Sequence, residues 1–122
     1  MYLTYEKADA LLATARSEAR GKPVANNTRL FRRGPDVIAL RLHQTDVVTF
    51  HADGRVTLDS GGWRTMTTKD RMNYSPLTVF SDKGEWLVKS PGSDAVPYFD
   101  GITFADDGSV LWLGKLFLLG SR

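Results

Sequence analysis

The chain has 122 residues, the size of one domain and too short for two, and its 42% hydrophobic and 25% charged residues exclude disorder, collagen and coiled coil. The absence of cysteine removes disulfide scaffolds, thiol catalysis, Cys-ligated zinc and iron–sulfur clusters. Sixteen Lys and Arg against 14 Asp and Glu leave a net charge of +2, too small to announce a nucleic-acid binder by itself.

Residues 4–20 are predicted to form a helix, because Tyr5, Ala8, Leu12, Ala15 and Ala19 recur at three- and four-residue spacing and Leu11 widens the stripe. Thr4 is the expected N-cap, Gly21 the C′ residue and Pro23 the stop, with Arg16, Arg20 and Lys22 where the helix dipole favours cations. From Ala25 the period becomes two. Ile38, Leu40 and Leu42 then share one side of a central strand, and Val37, Ala39, Arg41 and His43 share the other. Three later segments read as hairpins around Asp53-Gly54, Lys83-Gly84 and Asp107-Gly108. Three-residue loops with left-handed glycines at 54, 84 and 108 would pair Phe50 with Val56, Phe80 with Trp86 and Phe104 with Val110, all in the core. Residues 91–97 are read as a loop and 73–76 as a second break, with a short helix near 68–74 between strands. The fold class is therefore α+β: an N-terminal helix packed on a mainly antiparallel, bent sheet of successive hairpins, in one domain over 1–122.

The densest polar stretch, 60–73, carries two adjacent glycines, several hydroxyls and three cations. Gly61 and Gly62 would free backbone amides, Arg64, Lys69 and Arg71 would supply charge, and Thr65, Thr67 and Thr68 would add hydroxyls to an anion site. Trp63 would offer a stacking face, and Thr67 with Asp70 has the spacing of a capping box. This grouping requires the chain to leave the strand by Thr68, since extended backbone would point Arg64 away from Thr65. The competing reading makes Gly61-Gly62 a plain turn and puts Trp63 and Met66 in the core. Residues 16–71 hold eleven Lys and Arg against six Asp and Glu, so the middle of the chain is the expected anion-facing part. There Arg29, Arg32 and Arg33 surround a Gly34-Pro35 turn beside Phe31, placed to track a phosphate backbone or else to form a solvated sheet edge.

His43-Gln44-Thr45 has the His-x-Thr form that two-histidine phosphoesterases use, the His for proton transfer and the Thr for phosphate. Those enzymes need two copies, and the second histidine gives His51-Ala52-Asp53 instead, so His43 is read as non-catalytic. The two histidines lie on different predicted strands with no third ligand, so no metal or cofactor is expected. The longest apolar runs, 37–40 and 116–119, are far below the roughly 20 residues of a membrane span. The acidic start at Tyr5-Glu6-Lys7 is unlike a signal peptide, so no membrane partner is expected.

The stretches Ala25-Asn26-Asn27-Thr28-Arg29-Leu30, Ile38-Ala39-Leu40-Arg41-Leu42-His43-Gln44-Thr45-Asp46-Val47-Val48-Thr49-Phe50, Asp53-Gly54-Arg55-Val56-Thr57-Leu58, Gly61-Gly62-Trp63-Arg64-Thr65-Met66-Thr67-Thr68-Lys69-Asp70-Arg71-Met72-Asn73 and Phe99-Asp100-Gly101-Ile102 resemble a family of small bacteriophage proteins, over about residues 25–108. The resemblance implies a setting, the cytoplasm of the infected bacterium, and transfers no catalytic residue. The reading drawn from all of this is a non-catalytic accessory protein that binds a phosphate-bearing ligand, nucleic acid before free nucleotide. Its expected contact residues are Arg41, His43, Gly61, Gly62, Trp63, Arg64, Thr65, Thr67, Thr68, Lys69 and Arg71. An anti-defence or host-takeover inhibitor that binds a host protein is the alternative, and a phosphoesterase using His43 comes third.

Overall fold

Alternating apolar and polar residues give this chain its strands, and the order of the turns decides how they pair. In the computed structural model, which describes residues 2–111, helix α1 (Tyr5–Leu12) precedes five strands: β1 (Lys22–Ala25), β2 (Thr28–Gly34), β3 (Val37–Leu42), β4 (Thr45–His51) and β5 (Val56–Leu58). Helix α2 (Met66–Met72) follows, then β6 (Thr78–Asp82), β7 (Glu85–Lys89), β8 (Val96–Pro97) and β9 (Thr103–Phe104). One antiparallel sheet runs β1-β2-β3-β4-β5-β9 and a second runs β6-β7-β8. The fold class is the expected α+β.

The core lies between the larger sheet, the two helices and the smaller sheet. Leu30, Ile38, Leu40, Val48, Phe50 and Leu58 line the sheet's inner face, joined by Leu3 and Ala8 before and within α1, Met72 of α2, and Val79 and Val88 of the smaller sheet. As expected, β3 is an interior strand whose Ile38, Leu40 and Leu42 are buried together.

The first helix is shorter than its sequence stripe. Thr4 does cap it, its hydroxyl accepting from the Lys7 amide. It ends at Leu12, where Thr14 Oγ1 donates to the Leu11 carbonyl at 2.6 Å and the Thr14 and Ala15 amides make tight bonds three residues back. Ala15 and Ala19 offer too little apolar surface to hold further turns on the sheet, and the cations at 16, 20 and 22 stand on no helix end.

Two of the three hairpins have the expected register. Phe50 faces Val56, and Phe104 bridges Val110. The third differs: Asp82 faces Glu85 across a two-residue turn, so Phe80 lies opposite Leu87, both half-buried, while Trp86 faces Ser81. The expected Phe80–Trp86 pair is thus incorrect, although Trp86 is in the core. The cause is at the turn. Asp53 and Asp107 each accept the amide two residues on, from Arg55 at 3.1 Å and Ser109 at 2.9 Å, which braces a three-residue loop. Lys83 holds the corresponding place and has no such acceptor. The chain there closes over Lys83 and Gly84 alone, with φ values of 53° and 83°. Glycines 54, 84 and 108 all have positive φ, as expected. The stretch read as a loop at 91–97 contains β8, which pairs with β7.

Candidate binding site

The site begins with a tight turn. Leu42 pairs with Thr45, which leaves only His43 and Gln44 to reverse the chain between β3 and β4. His43 takes φ 54°, a left-handed conformation uncommon for a side chain of this size, and its amide donates at 2.9 Å to the carbonyl of Asn27, itself at φ 52° in the β1–β2 turn. Two neighbouring turns are thereby locked together at one end of the large sheet. A hollow opens on either side of His43-Gln44.

The first hollow, about 340 Å³, is lined by Asn27, Arg29, Phe31, Arg41, His43 and Gln44. Arg29 and Arg41 are cross-strand partners. Like charges placed directly opposite repel, and among the described residues neither guanidinium has a carboxylate within ion-pair distance. The turn holds Arg41 in place: its Nε donates to the His43 carbonyl and one terminal nitrogen to Gln44 Oε1, both at 2.8 Å. Its guanidinium also lies 5.6 Å from the centre of the Phe31 ring. Arg29 donates from one terminal nitrogen to the Arg20 carbonyl at 3.2 Å, and its other donors have no partner among the described residues. Arg33 stacks on Phe31 too, but Asp46 neutralises it with bonds of 3.0 and 2.8 Å.

The second hollow is larger, about 510 Å³, and different in chemistry. Leu42 and Val47 form its apolar floor, the hydroxyls of Thr45, Ser60, Thr65, Thr67 and Thr68 surround it, and Trp63 stands at its wall. Among the described residues no Lys, Arg, Asp or Glu lines it. Thr65 caps α2 by accepting from the Thr68 amide at 3.1 Å, and the two hydroxyls lie 3.0 Å apart. The hydroxyls of Thr45 and Thr67 have no partner among the described residues. Because Arg41 takes the Gln44 oxygen, the Gln44 NH₂ is what that side chain offers.

The predicted anion cluster is only partly assembled. Helix α2 begins at Met66 with Thr65 as its cap, so the chain is helical before Thr68, as the grouping required, and Thr67-Asp70 is not the capping pair. The glycine amides are not free: Gly61 donates to Asp59 Oδ1 at 2.7 Å and Gly62 to Ser60 Oγ at 3.2 Å, closing the turn on itself. Gly61 has φ 62°, and a Cβ there would lie 2.6 Å from Thr45 Oγ1, so only glycine fits against the start of β4. Of the three cations Arg71 separates from the others, while Arg64 and Lys69 both lie over the Trp86 ring. Arg71 is buried to 12% side-chain exposure, donating to Thr28 Oγ1 at 2.7 Å and paired with Asp70, which ties α2 to β2. Arg64 lies 5.0 and 5.6 Å from the ring centres of Tyr98 and Trp86, and Lys69 lies 5.7 Å from Trp86 while donating to Ser81. Of the expected contact residues, Arg41 and His43 line the first hollow, and His43, Trp63, Thr65, Thr67 and Thr68 the second. Trp63 and Met66 are 69% and 83% exposed, so the alternative that put them in the core is incorrect. Arg32 leaves the outer face altogether and pairs with Asp9 of α1.

Behind the second hollow sits a polar knot. Asp100 Oδ1 accepts from the Ser60 amide at 2.9 Å, the Ser60 hydroxyl at 2.8 Å and the Tyr98 hydroxyl at 2.6 Å. Burial acts to raise the Asp100 carboxyl, but these donors outweigh it and hold it below the usual carboxylate range; burial, then Asp100, pushes the Tyr98 phenol far up. The knot anchors Ser60 at the pocket wall. His51, at the opposite end of β4 from the His43 turn, lies 3.4 Å from Thr57, and burial, then Arg55, lowers its pKa. Among the described residues no three His, Asp or Glu side chains converge as a metal site. Asn27, Gln44, Thr45 and Ser60 line the hollows without being among the expected contact residues, and Arg29 shares its hollow with Phe31 and Arg41, while Arg32 and Arg33 are paired with Asp9 and Asp46. The pairing of Arg29 with Arg41 is set by the turn at Pro35-Asp36 between β2 and β3, together with the register shift between Arg32 and Gly34.

The profile of a family described as Kyanoviridae Gp96 protein matches residues 7–105. No curated protein and no solved structure matches the chain. No helix among the described residues is long and apolar enough to cross a membrane.

Proposed function

Since this chain belongs to the Kyanoviridae Gp96 family of phage proteins, we propose that it is a non-catalytic accessory protein of the infected cell's cytoplasm that binds a phosphate-bearing ligand, nucleic acid before free nucleotide, beside the His43-Gln44 turn. The observation that carries this reading is the Arg29–Arg41 pair: two arginines directly opposite on adjacent strands, neither in an ion pair among the described residues, both lining one hollow. Such an arrangement costs stability when empty and is relieved by an anion between the two charges. Phe31, whose ring centre lies 5.6 Å from the Arg41 guanidinium, lines the same hollow and supports that side chain there.

The test is a salt titration of binding to a single-stranded oligonucleotide. Replacing Arg29 and Arg41 together by Gln is expected to weaken binding and to reduce the slope of log K against log salt by about 1.4, from about 0.7 per lost phosphate contact. An unchanged slope would move the phosphate contact elsewhere. A second reading, docking on a host protein, is favoured by the exposure of Trp63 and Met66 on one segment. It becomes the leading account if no phosphate-bearing ligand binds at any salt concentration.

A further inference from the structure

We infer that the larger hollow, lined by Trp63, is a seat for one unpaired nucleobase, placed so that the phosphate next to that base reaches Arg29 and Arg41 across the His43-Gln44 turn. This rests on the phosphate reading and adds to it which part of the ligand is read and in what state.

The chemistry of the hollow selects the occupant. Its volume of about 510 Å³ falls within the range that takes small organic ligands. With no Lys, Arg, Asp or Glu among the described residues of its lining it suits a neutral group, whereas a phosphate alone would meet no counter-charge from those residues there. The open hydroxyls of Thr45 and Thr67 each donate and accept, and the Gln44 amide donates. A ring with both donors and acceptors on its edge satisfies that set, and a plain hydrocarbon does not. Trp63 is 69% exposed, so its indole face is available for stacking.

The same geometry excludes a paired base. In a duplex the Watson–Crick edge is already bonded and both faces are stacked on neighbours, so neither the hydroxyls nor Trp63 could engage it. The two hollows share His43 and Gln44, so a ligand with a ring on one side of the turn and an anion on the other bridges a wall two residues thick. A free nucleotide and a single strand both supply that pairing of base and phosphate.

The experiment measures binding of four probes at one ionic strength: a fluorescein-labelled oligothymidylate, the same strand in a duplex, thymidine monophosphate and inorganic pyrophosphate. It uses the wild type, Trp63→Ala, Trp63→Phe and the Arg29→Gln/Arg41→Gln double variant. The wild type is expected to prefer the single strand to the duplex. Trp63→Ala should weaken the single strand by about 5- to 150-fold, the loss of one stacked base, abolish the preference and leave pyrophosphate unchanged, while Trp63→Phe retains most of the binding. Equal affinity for the monophosphate and the strand would identify a free nucleotide as the source; tighter binding of the strand would identify single-stranded nucleic acid. If Trp63→Ala binds the single strand like the wild type while the arginine variant does not, the base seat is wrong and the phosphate reading stands. If the arginine variant binds all probes like the wild type, or the wild type binds none, both readings fall.

Discussion

Arg29 and Arg41 face each other across β2 and β3, neither in an ion pair among the described residues because Asp46, opposite Arg41 on β4, is taken by Arg33, and a like-charge pair in that position opposes folding by roughly 0.2–1 kcal/mol. Replacing Arg29 alone by Gln is therefore expected to raise the melting temperature slightly at low salt, with a gain that shrinks as salt screens the pair. A lower melting temperature at every salt concentration would mean that the bond to the Arg20 carbonyl outweighs the repulsion. Asp100 behaves in the opposite way. Its carboxyl is depressed in the fold by the Tyr98 and Ser60 donors despite burial, so its contribution is fully present above the ordinary carboxylate pKa and is lost as pH falls through the lower folded value. Asp100→Asn should accordingly flatten the acid limb of a pH–stability curve and lower stability near neutrality. An acid limb of unchanged slope would show that the knot does not report its charge. His51, depressed by burial, adds a loss of the same sign at higher pH, beginning as pH falls through the ordinary histidine value.

At the scale of elements the informative case is the β6–β7 hairpin. Trp86 is buried against Tyr98, ring centres 5.4 Å apart, whereas Phe80 faces Leu87 and is only half-buried. Trp86→Ala should cost about 3–5 kcal/mol and Phe80→Ala distinctly less, read from urea melts of the two variants. Equal losses would restore the register in which those rings pair. The hydrophobic alternation of both strands was plain in the sequence, and so was the need for a left-handed glycine. What period and parity omit is the side chain that braces the turn, present as Asp53 and Asp107 and absent at Lys83. Helix α1 fails for a related reason: spacing marks a face but not how much apolar surface that face buries, and alanines at 15 and 19 bury little. For α2 the expected cluster of three cations assumed that charge faces solvent. Arg71 instead bonds the Thr28 hydroxyl, so Arg71→Ala should lose about 1–3 kcal/mol of stability while Arg64→Ala, on an exposed residue, loses little. Similar melting temperatures for the two variants would place Arg71 on the surface.

Across the whole molecule, sheet, helices and smaller sheet supply a rigid frame, and the candidate site is concentrated at one end where two tight turns meet. Three residues other than glycine have positive φ among those described, and two of them, Asn27 and His43, are joined by a backbone hydrogen bond at this end. Left-handed backbone costs a residue with a side chain about 1–2 kcal/mol relative to glycine. His43→Gly would remove that strain and give back roughly 0.4–1 kcal/mol through the greater freedom of the unfolded chain. The difference leaves the variant as stable as the wild type or up to about 1.5 kcal/mol more stable. Binding should move the other way. The turn is the wall between the two hollows, His43 lines both, and its carbonyl holds Arg41 Nε, so a looser turn must be ordered when a ligand arrives. We expect His43→Gly to bind thymidine monophosphate severalfold more weakly while melting no lower than the wild type. His43→Asn, which tolerates the left-handed region and keeps a polar side chain, should fall between them. An affinity equal to wild type in the glycine variant would show that the strained turn has no part in recognition, and a large fall in its melting temperature would show that His43 serves the fold instead.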